Sequence, residues 1–502
     1  MVSDKFRRQL RQEVELWQAE GLINADLYKQ LSQRYQFNAL ETAARDRFVT
    51  ILLGLGSLLI GLGIITFVAA NWQELPRAGR VTLLLSLFVG VNLAGFYLWR
   101  QPKGAQHRLG HGLLLLGSLI LGANMGLMGQ MFHIGGAVYE LLLAWGVGVL
   151  AMAYSLRLTS LGIISIILMG LGYWGFWAEY VQQTWSSVPQ IQDLSWAWLM
   201  GEHMPVLAGL MFVPLAYWCR SPVIFGLSAI AVISSLEGNL QPFSLRMFSL
   251  SPIVSTGWAL AIAFALPPAL LWAYDDSWWV HGDVRRVAPA AFSGSWGGSF
   301  RAIARTISVI FLGILFYSAS SLWFWELFSN LSPSDRPQLN WFPLIDAFIL
   351  SGVALVEWIR LLSQARNPRT RQNLDLTTLV IGVFIIITAL IPFWHISVTQ
   401  ISLIATFAFN ALLFLLAAGL MREGLAQGDR RAFWGGMVLL TLRILTWFLL
   451  ANTELIFKSI VFILCGFGVI AIGLWFERYV RTLSHNSKAL RRSESPTVEK
   501  DF

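Results

Sequence analysis

"GLLLLGSLILGANMGLMGQMFHIGGAVYELLLAWGVGVLAMAYSL", residues 112–156, decides the fold class. It holds two apolar runs, 112–132 and 137–156, on either side of His133 to Gly136, and Glu140 is its only formal charge. Each run has the length, about 20 residues, that an α-helix needs to cross about 30 Å of hydrocarbon. The strict apolar/polar alternation of a membrane barrel strand is absent. Gly135 and Gly136 permit a tight turn, so the two runs are expected as antiparallel helical neighbours. Within the first run Ser118, Gly122 and Gly126 recur every four residues, a stripe of small side chains that lets another helix approach closely.

The rest of the chain has the same character. Its 502 residues are 56% hydrophobic and only 13% charged, where a soluble domain carries roughly 25% charged residues. The apolar runs predict an all-α polytopic membrane protein of about fourteen spans: 49–70, 81–99, 112–132, 137–156, 158–178, 204–219, 222–236, 253–274, 305–328, 342–362, 376–394, 398–420, 433–450 and 458–476. The pair 204–219 and 222–236 is short enough for a re-entrant hairpin, and losing both keeps the number even. With the N-terminus inside, 30 of the 36 Lys and Arg fall on inner segments, five on outer loops, and Arg443 within a span. The positive-inside rule then places both termini in the cytoplasm. Orientation thus accounts for the net charge of +8, and no nucleic-acid partner is needed. Trp72, Trp99, Trp177, Trp218, Trp341, Trp394 and Trp475 lie near span ends, where indole rings anchor at the interface.

Residues 1–48 are polar and charged, so no cleavable signal peptide is expected. Phe6, Leu10, Val14 and Trp17 recur at helical spacing, Gly21 suits a helix stop, and Asn24 suits the cap of a second helix carrying Leu27, Leu31 and Tyr35. This predicts a cytoplasmic helical hairpin that docks on the inner face or meets a cytoplasmic protein partner through residues 1–40. The bilayer-embedded bundle is expected over 49–480 and a disordered cytoplasmic tail over 481–502. Oligomeric state has no signature in the sequence. The two cysteines, Cys219 and Cys465, offer no disulfide framework.

Three stretches, "LWQAEGLINADLYKQLSQRY" (16–35), "GLGIITFVAANWQELP" (61–76) and "GLMGQMFHIGGAVYELLLAWGVGVLAMAYSLR" (126–157), occur in an order that resembles the bacterial membrane-protein family known as domain of unknown function 2157. The resemblance covers about residues 12–180. It implies a multi-pass protein of the bacterial inner membrane and brings no activity or catalytic residue with it. The chain has Phe132 where the family pattern leads one to expect Tyr, and Gly135–Gly136 in place of a more polar turn.

No cofactor or metal motif is found. GxxxxGK[ST], HExxH and a GxSxG elbow are missing, and His107 and His111 sit in the turn-like "PKGAQHRLGHG". Two polar constellations remain. On the outer side, Asn71, Gln130, His133, Tyr139 and Glu140 emerge from neighbouring spans, either as a site for a proton, cation or polar head group or as the hydrogen-bonded rim of packed helices. Within the membrane, Asp346 and Glu357 stand eleven residues apart, which returns both to one helix face about 16 Å apart along the axis. Arg443 lies at intermediate depth and is expected to pair with one of them, as part of an ion path or as a static pair. Asn92 and Asn410 read as interhelical links.

Three functions fit: a transporter or binder of a small or lipid-like molecule using protons, a non-catalytic scaffold or sensor, and, third, a transferase using Asp193, Glu202 and His203 of the outer loop 179–203.

Overall fold

The structure is a computed structural model, and it describes residues 76–185 apart from 103, 196–240, 257–276, 300–329, 342–365 and 376–450, together with most of 13–35 and scattered helical positions in 52–66 and 459–474. The described residues form helices: α1 (Ala25–Tyr35), α2 (Arg77–Trp99), α3 (Ala105–Met131), α4 (Val138–Leu156), α5 (Thr159–Trp185), α6 (Trp196–Glu202), α7 (Met204–Cys219), α8 (Pro222–Leu240), α9 (Gly257–Ala273), α10 (Phe300–Ala319), α11 (Leu322–Ser329), α12 (Phe342–Ala365), α13 (Leu376–Ser397), α14 (Ser402–Gln427) and α15 (Arg430–Leu450). Among the described residues, eight helices are long and apolar enough to cross a membrane, or nine if the bent pair α6–α7 is one span. The protein is a multi-pass membrane protein. Helices α12 and α15 have 24 and 21 residues but carry three charges each, Asp346, Glu357 and Arg360 in one, Arg430, Arg431 and Arg443 in the other. The expected first and last spans and the tail 481–502 lie almost wholly outside the described residues.

The chain divides within α5 into two units, Met1–Gly172 and Tyr173–Phe502. In the first, the N-terminal hairpin turns at Gly21, whose φ of 74° is the left-handed conformation a helix stop requires. Trp17 O accepts from the amides of Leu22 and Ile23, and Asn24 Oδ1 caps α1 by accepting from Leu27 N at 2.9 Å. Helices α2 and α3 form a close antiparallel pair. A Cβ on Gly110 would fall on the Trp99 backbone, and one on Gly117 on the Asn92 amide. Higher up, Asn124 Nδ2 donates to Leu84 O at 3.0 Å. The small stripe of α3 receives α4: the Trp145 ring covers Gly122, and its Nε1–H donates to Ser118 O at 2.7 Å. His107 and His111 are engaged separately, with Trp99 O at 2.6 Å and Ser160 Oγ at 2.7 Å.

The second unit is built around α9. This apolar helix is buried over most of its surface, with Trp258 exposed near its start. It packs on α8, α10, α12 and α13. Its mid-helix pair Pro267–Pro268 interrupts the amide ladder, and neighbours supply donors nearby: Ser308 Oγ to Pro268 O at 3.1 Å and Trp358 Nε1 to Ala269 O at 3.0 Å. The expected single span 305–328 is in fact two helices, α10 and α11, broken at Ser320–Ser321, with Trp325 Nε1 closing the break onto Ala319 O at 2.7 Å. The segment 222–236 is longer than expected, 19 residues as α8, and packs along α7.

Candidate functional site

The loop expected at 179–203 is partly helical. Helix α5 runs on to Trp185, and α6 meets α7 at an angle of 82° with His203 at the break. His203 adopts φ −99° and ψ 16°, and Pro205 opens α7, where a missing amide costs nothing. The break exposes the first amides of α7, and a carboxylate comes to them from α12. Asp346 is 1% exposed; its Oδ2 accepts from Val206 N at 3.3 Å and its Oδ1 from His203 Nδ1–H at 2.7 Å. A negative group at a helix N-terminus is favourably placed. His203, with a side chain 24% exposed, connects the buried acid to less enclosed surroundings. Alongside, Asn239 of α8 donates to Glu202 O and accepts from Tyr173 OH at 2.8 Å, which fixes the end of α6.

Glu357, 6% exposed, lies toward the other end of the same buried face of α12. Its Oε2 has no hydrogen-bond partner among the described residues. The charges of Asp275 and Arg360 act on it, and Glu357 in turn acts on Tyr274 just past the end of α9. There Tyr217, near the end of α7, donates to Asp276 Oδ1 at 2.5 Å and lies 2.8 Å from Tyr274 OH. The flank shared by α7 and α12 therefore carries ionisable groups at both ends.

Arg443 does not pair with either acid. Its Nε donates to Asn410 Oδ1 at 2.9 Å, Nη2 to Ser320 O at 2.6 Å and Nη1 to Ser321 Oγ at 3.3 Å, and the guanidinium lies 5.7 Å from the Trp447 ring centre. The reason is the break after α10: its terminal carbonyls need donors, and a cation is favoured at a helix C-terminus. Asn410 shares the task, donating to Ser320 O at 2.8 Å. Asn92 turns back to its own helix, donating to Phe88 O at 2.8 Å.

The outer cluster is only partly assembled. Asn71 and Asp193 lie outside the described residues. Glu140, in the first turn of α4, folds over Gly136, and Tyr139 beside it is half-buried. No hydrogen bond or ion pair joins His133 to Glu140 among the described residues. Gln130 and His133 instead line a cavity of about 200 Å³ with Arg77, Arg80, Leu127 and Met131. Sequence reasoning counted the two arginines only as loop charges. Their spacing of three at a span's start, on the side that the Lys and Arg distribution leads one to expect poor in cations, was the available signal.

The subunit named "Probable 4-amino-4-deoxy-L-arabinose-phosphoundecaprenol flippase subunit ArnE" of Klebsiella pneumoniae (strain 342) is similar to this chain, 31% identical over 96 residues, which is 19% of this chain and 85% of that protein. The protein of the same name from Salmonella typhi is 31% identical over 94 residues, 19% of this chain and 84% of that protein. No solved structure matches. The family described as predicted membrane protein (DUF2157) matches residues 15–162, the stretch that holds the N-terminal hairpin, the helices α2 to α4 and the arginine-lined cavity. Over that stretch, under a third of its 502 residues, the chain matches the DUF2157 family of predicted membrane proteins.

Proposed function

We propose that the protein binds a small or lipid-like molecule within the bilayer and moves it across, with proton exchange on the buried face of α12. In this reading it lies in the bacterial inner membrane with both termini in the cytoplasm and about fourteen spans. The observation that carries it is Asp346 held by His203 at the break between α6 and α7. A charged group at mid-membrane costs at least about 2.5–3.5 kcal/mol unless paired or hydrated. Here the acid's partner is a histidine, whose ring can take up and pass on a proton. Interrupted helices at membrane depth are tolerated where they line a cavity or are buried in protein, and transporters build substrate and ion sites from them. The similarity to subunits named as flippase components, whose cargo name includes a phosphoundecaprenol lipid, supports a lipid-linked cargo.

The test is a deletion strain profiled for lipid, envelope and metabolite changes and complemented with variants. Asp346→Asn is expected to insert and fold yet fail to complement, with Asp346→Glu restoring part of the phenotype. Full complementation by Asp346→Asn rejects proton exchange at this site. A second reading, a scaffold or sensor that meets a cytoplasmic partner, is favoured by the exposed apolar side chains of the N-terminal hairpin, Leu16, Trp17, Leu22 and Leu27. It predicts the opposite pattern: loss of function on deleting residues 1–40 and retention in Asp346→Asn.

A further inference from the structure

The arginine-lined cavity belongs to the first unit and has a chemistry of its own. Contacts along the antiparallel pair set its position. Gly110 meets Trp99, Gly117 meets Asn92, and Asn124 meets Leu84, so each step down α2 is a step up α3. Continued for two more turns, this register brings Arg77 and Arg80 level with Leu127 to His133. Arg77 and Arg80 are three residues apart and face the same way. They bring two guanidinium forks, Gln130 brings an amide and His133 an imidazole, while Leu127 and Met131 form an apolar wall. Among the described residues that line it, none is acidic.

The backbone at His133 is part of the construction. Helix α3 ends in a reverse pair of bonds, Ile134 N to Gly129 O at 2.9 Å and His133 N to Gln130 O at 3.4 Å. The residue between them takes φ 52°, a position where helices ordinarily place glycine. The chain has Gly135 and Gly136 two residues on, yet histidine occupies the left-handed position and lines the cavity.

From this geometry we propose that the cavity binds a phosphate anion, carried on a lipid head group or free in solution. Guanidinium groups bind phosphate through paired, charge-assisted hydrogen bonds. At about 200 Å³ the cavity is smaller than the roughly 300–1,000 Å³ of pockets that enclose a drug-sized ligand, and it suits a head group whose chains stay in the bilayer. In the orientation proposed above these residues face outward, and two of the five outer cations are gathered here. The inference deepens the transport reading and rests on it for that orientation; binding itself is tested without transport.

The experiment uses the full chain in phosphatidylcholine nanodiscs. It measures binding of short-chain phosphatidic acid, of the matching neutral diacylglycerol and of inorganic phosphate, for the wild type, Arg77→Gln with Arg80→Gln, His133→Gly and, as a control at the other end of α3, Arg108→Gln. Phosphatidic acid is expected to bind, diacylglycerol not. Affinity should fall roughly tenfold for each arginine removed. His133→Gly relieves the left-handed residue and folds at least as well as the wild type, so its weaker binding reports the lost imidazole. Competition by inorganic phosphate assigns the site to the anion alone, and its absence assigns it to a lipid head group; both uphold the proposal. Equal binding of diacylglycerol, or unchanged binding in the folded double-arginine variant, overturns it. These outcomes are independent of whether Asp346→Asn complements.

Discussion

Arg443 donates from three nitrogens to neutral acceptors, and its burial at 4% exposure makes that arrangement a stability feature. Removing it leaves Asn410 Oδ1 without this donor and Ser320 O with Asn410 alone. Arg443→Met is expected to destabilise the protein by about 1–3 kcal/mol for each acceptor left bare, read as a lower unfolding midpoint in detergent. Arg443→Lys should recover part of the loss, because one ammonium reaches fewer of these acceptors. Loss of function at unchanged stability would instead place Arg443 in the transport chemistry. The expectation that it pairs with an acid followed from charge alone. A carbonyl freed by a helix break has no side chain to announce it, so the true partners were illegible. By contrast, the eleven-residue spacing of Asp346 and Glu357 is a property of helix geometry, and both are buried, at 1% and 6% exposure. In the sequence His203 reads as a candidate transferase residue of the loop 179–203; nothing local tells that a histidine 143 positions from an aspartate will lie against it.

At the scale of elements, run length and periodicity were legible because the hydrocarbon thickness sets them. The turn at Gly21, the cap at Asn24 and the small stripe of α3 each follow from a local rule, and each has the expected form. Breaks within apolar runs did not show. Residues 305–328 stay apolar through Ser320 and Ser321, and small hydroxyl residues sit in continuous membrane helices as readily as in broken ones. Close approach is also set at this scale. A Cβ at Gly110 would meet the Trp99 backbone, which has no rotamer to move, whereas Gly129 has open space around it. Gly110→Ala should therefore separate α2 from α3 at a cost of about 1–3 kcal/mol. Gly129→Ala should be neutral or stabilise the helix by up to about 1 kcal/mol. Thermal unfolding of the two variants side by side checks the contrast, and equal melting temperatures would show that the register of this pair is looser than described.

The whole molecule has an orientation argued from its Lys and Arg distribution, and fusions test it. Alkaline phosphatase joined after residue 290 or 427 is expected to be inactive and after residue 190 active; the reverse pattern inverts the topology. The N-terminal part carries the family match and the arginine-lined cavity, while the ionisable face of α12 and the two helix breaks belong to the second unit. The design of that second unit has a consequence for its synthesis. Helix α9 packs against α8, α10, α12 and α13, and three of these four follow it in the chain. When α9 leaves the ribosome, most of its final surroundings do not yet exist. A helix apolar on all sides tolerates that interval, because lipid can stand in for the missing neighbours. The core of the unit is thus completed from its C-terminal side, after α9 is already in the bilayer.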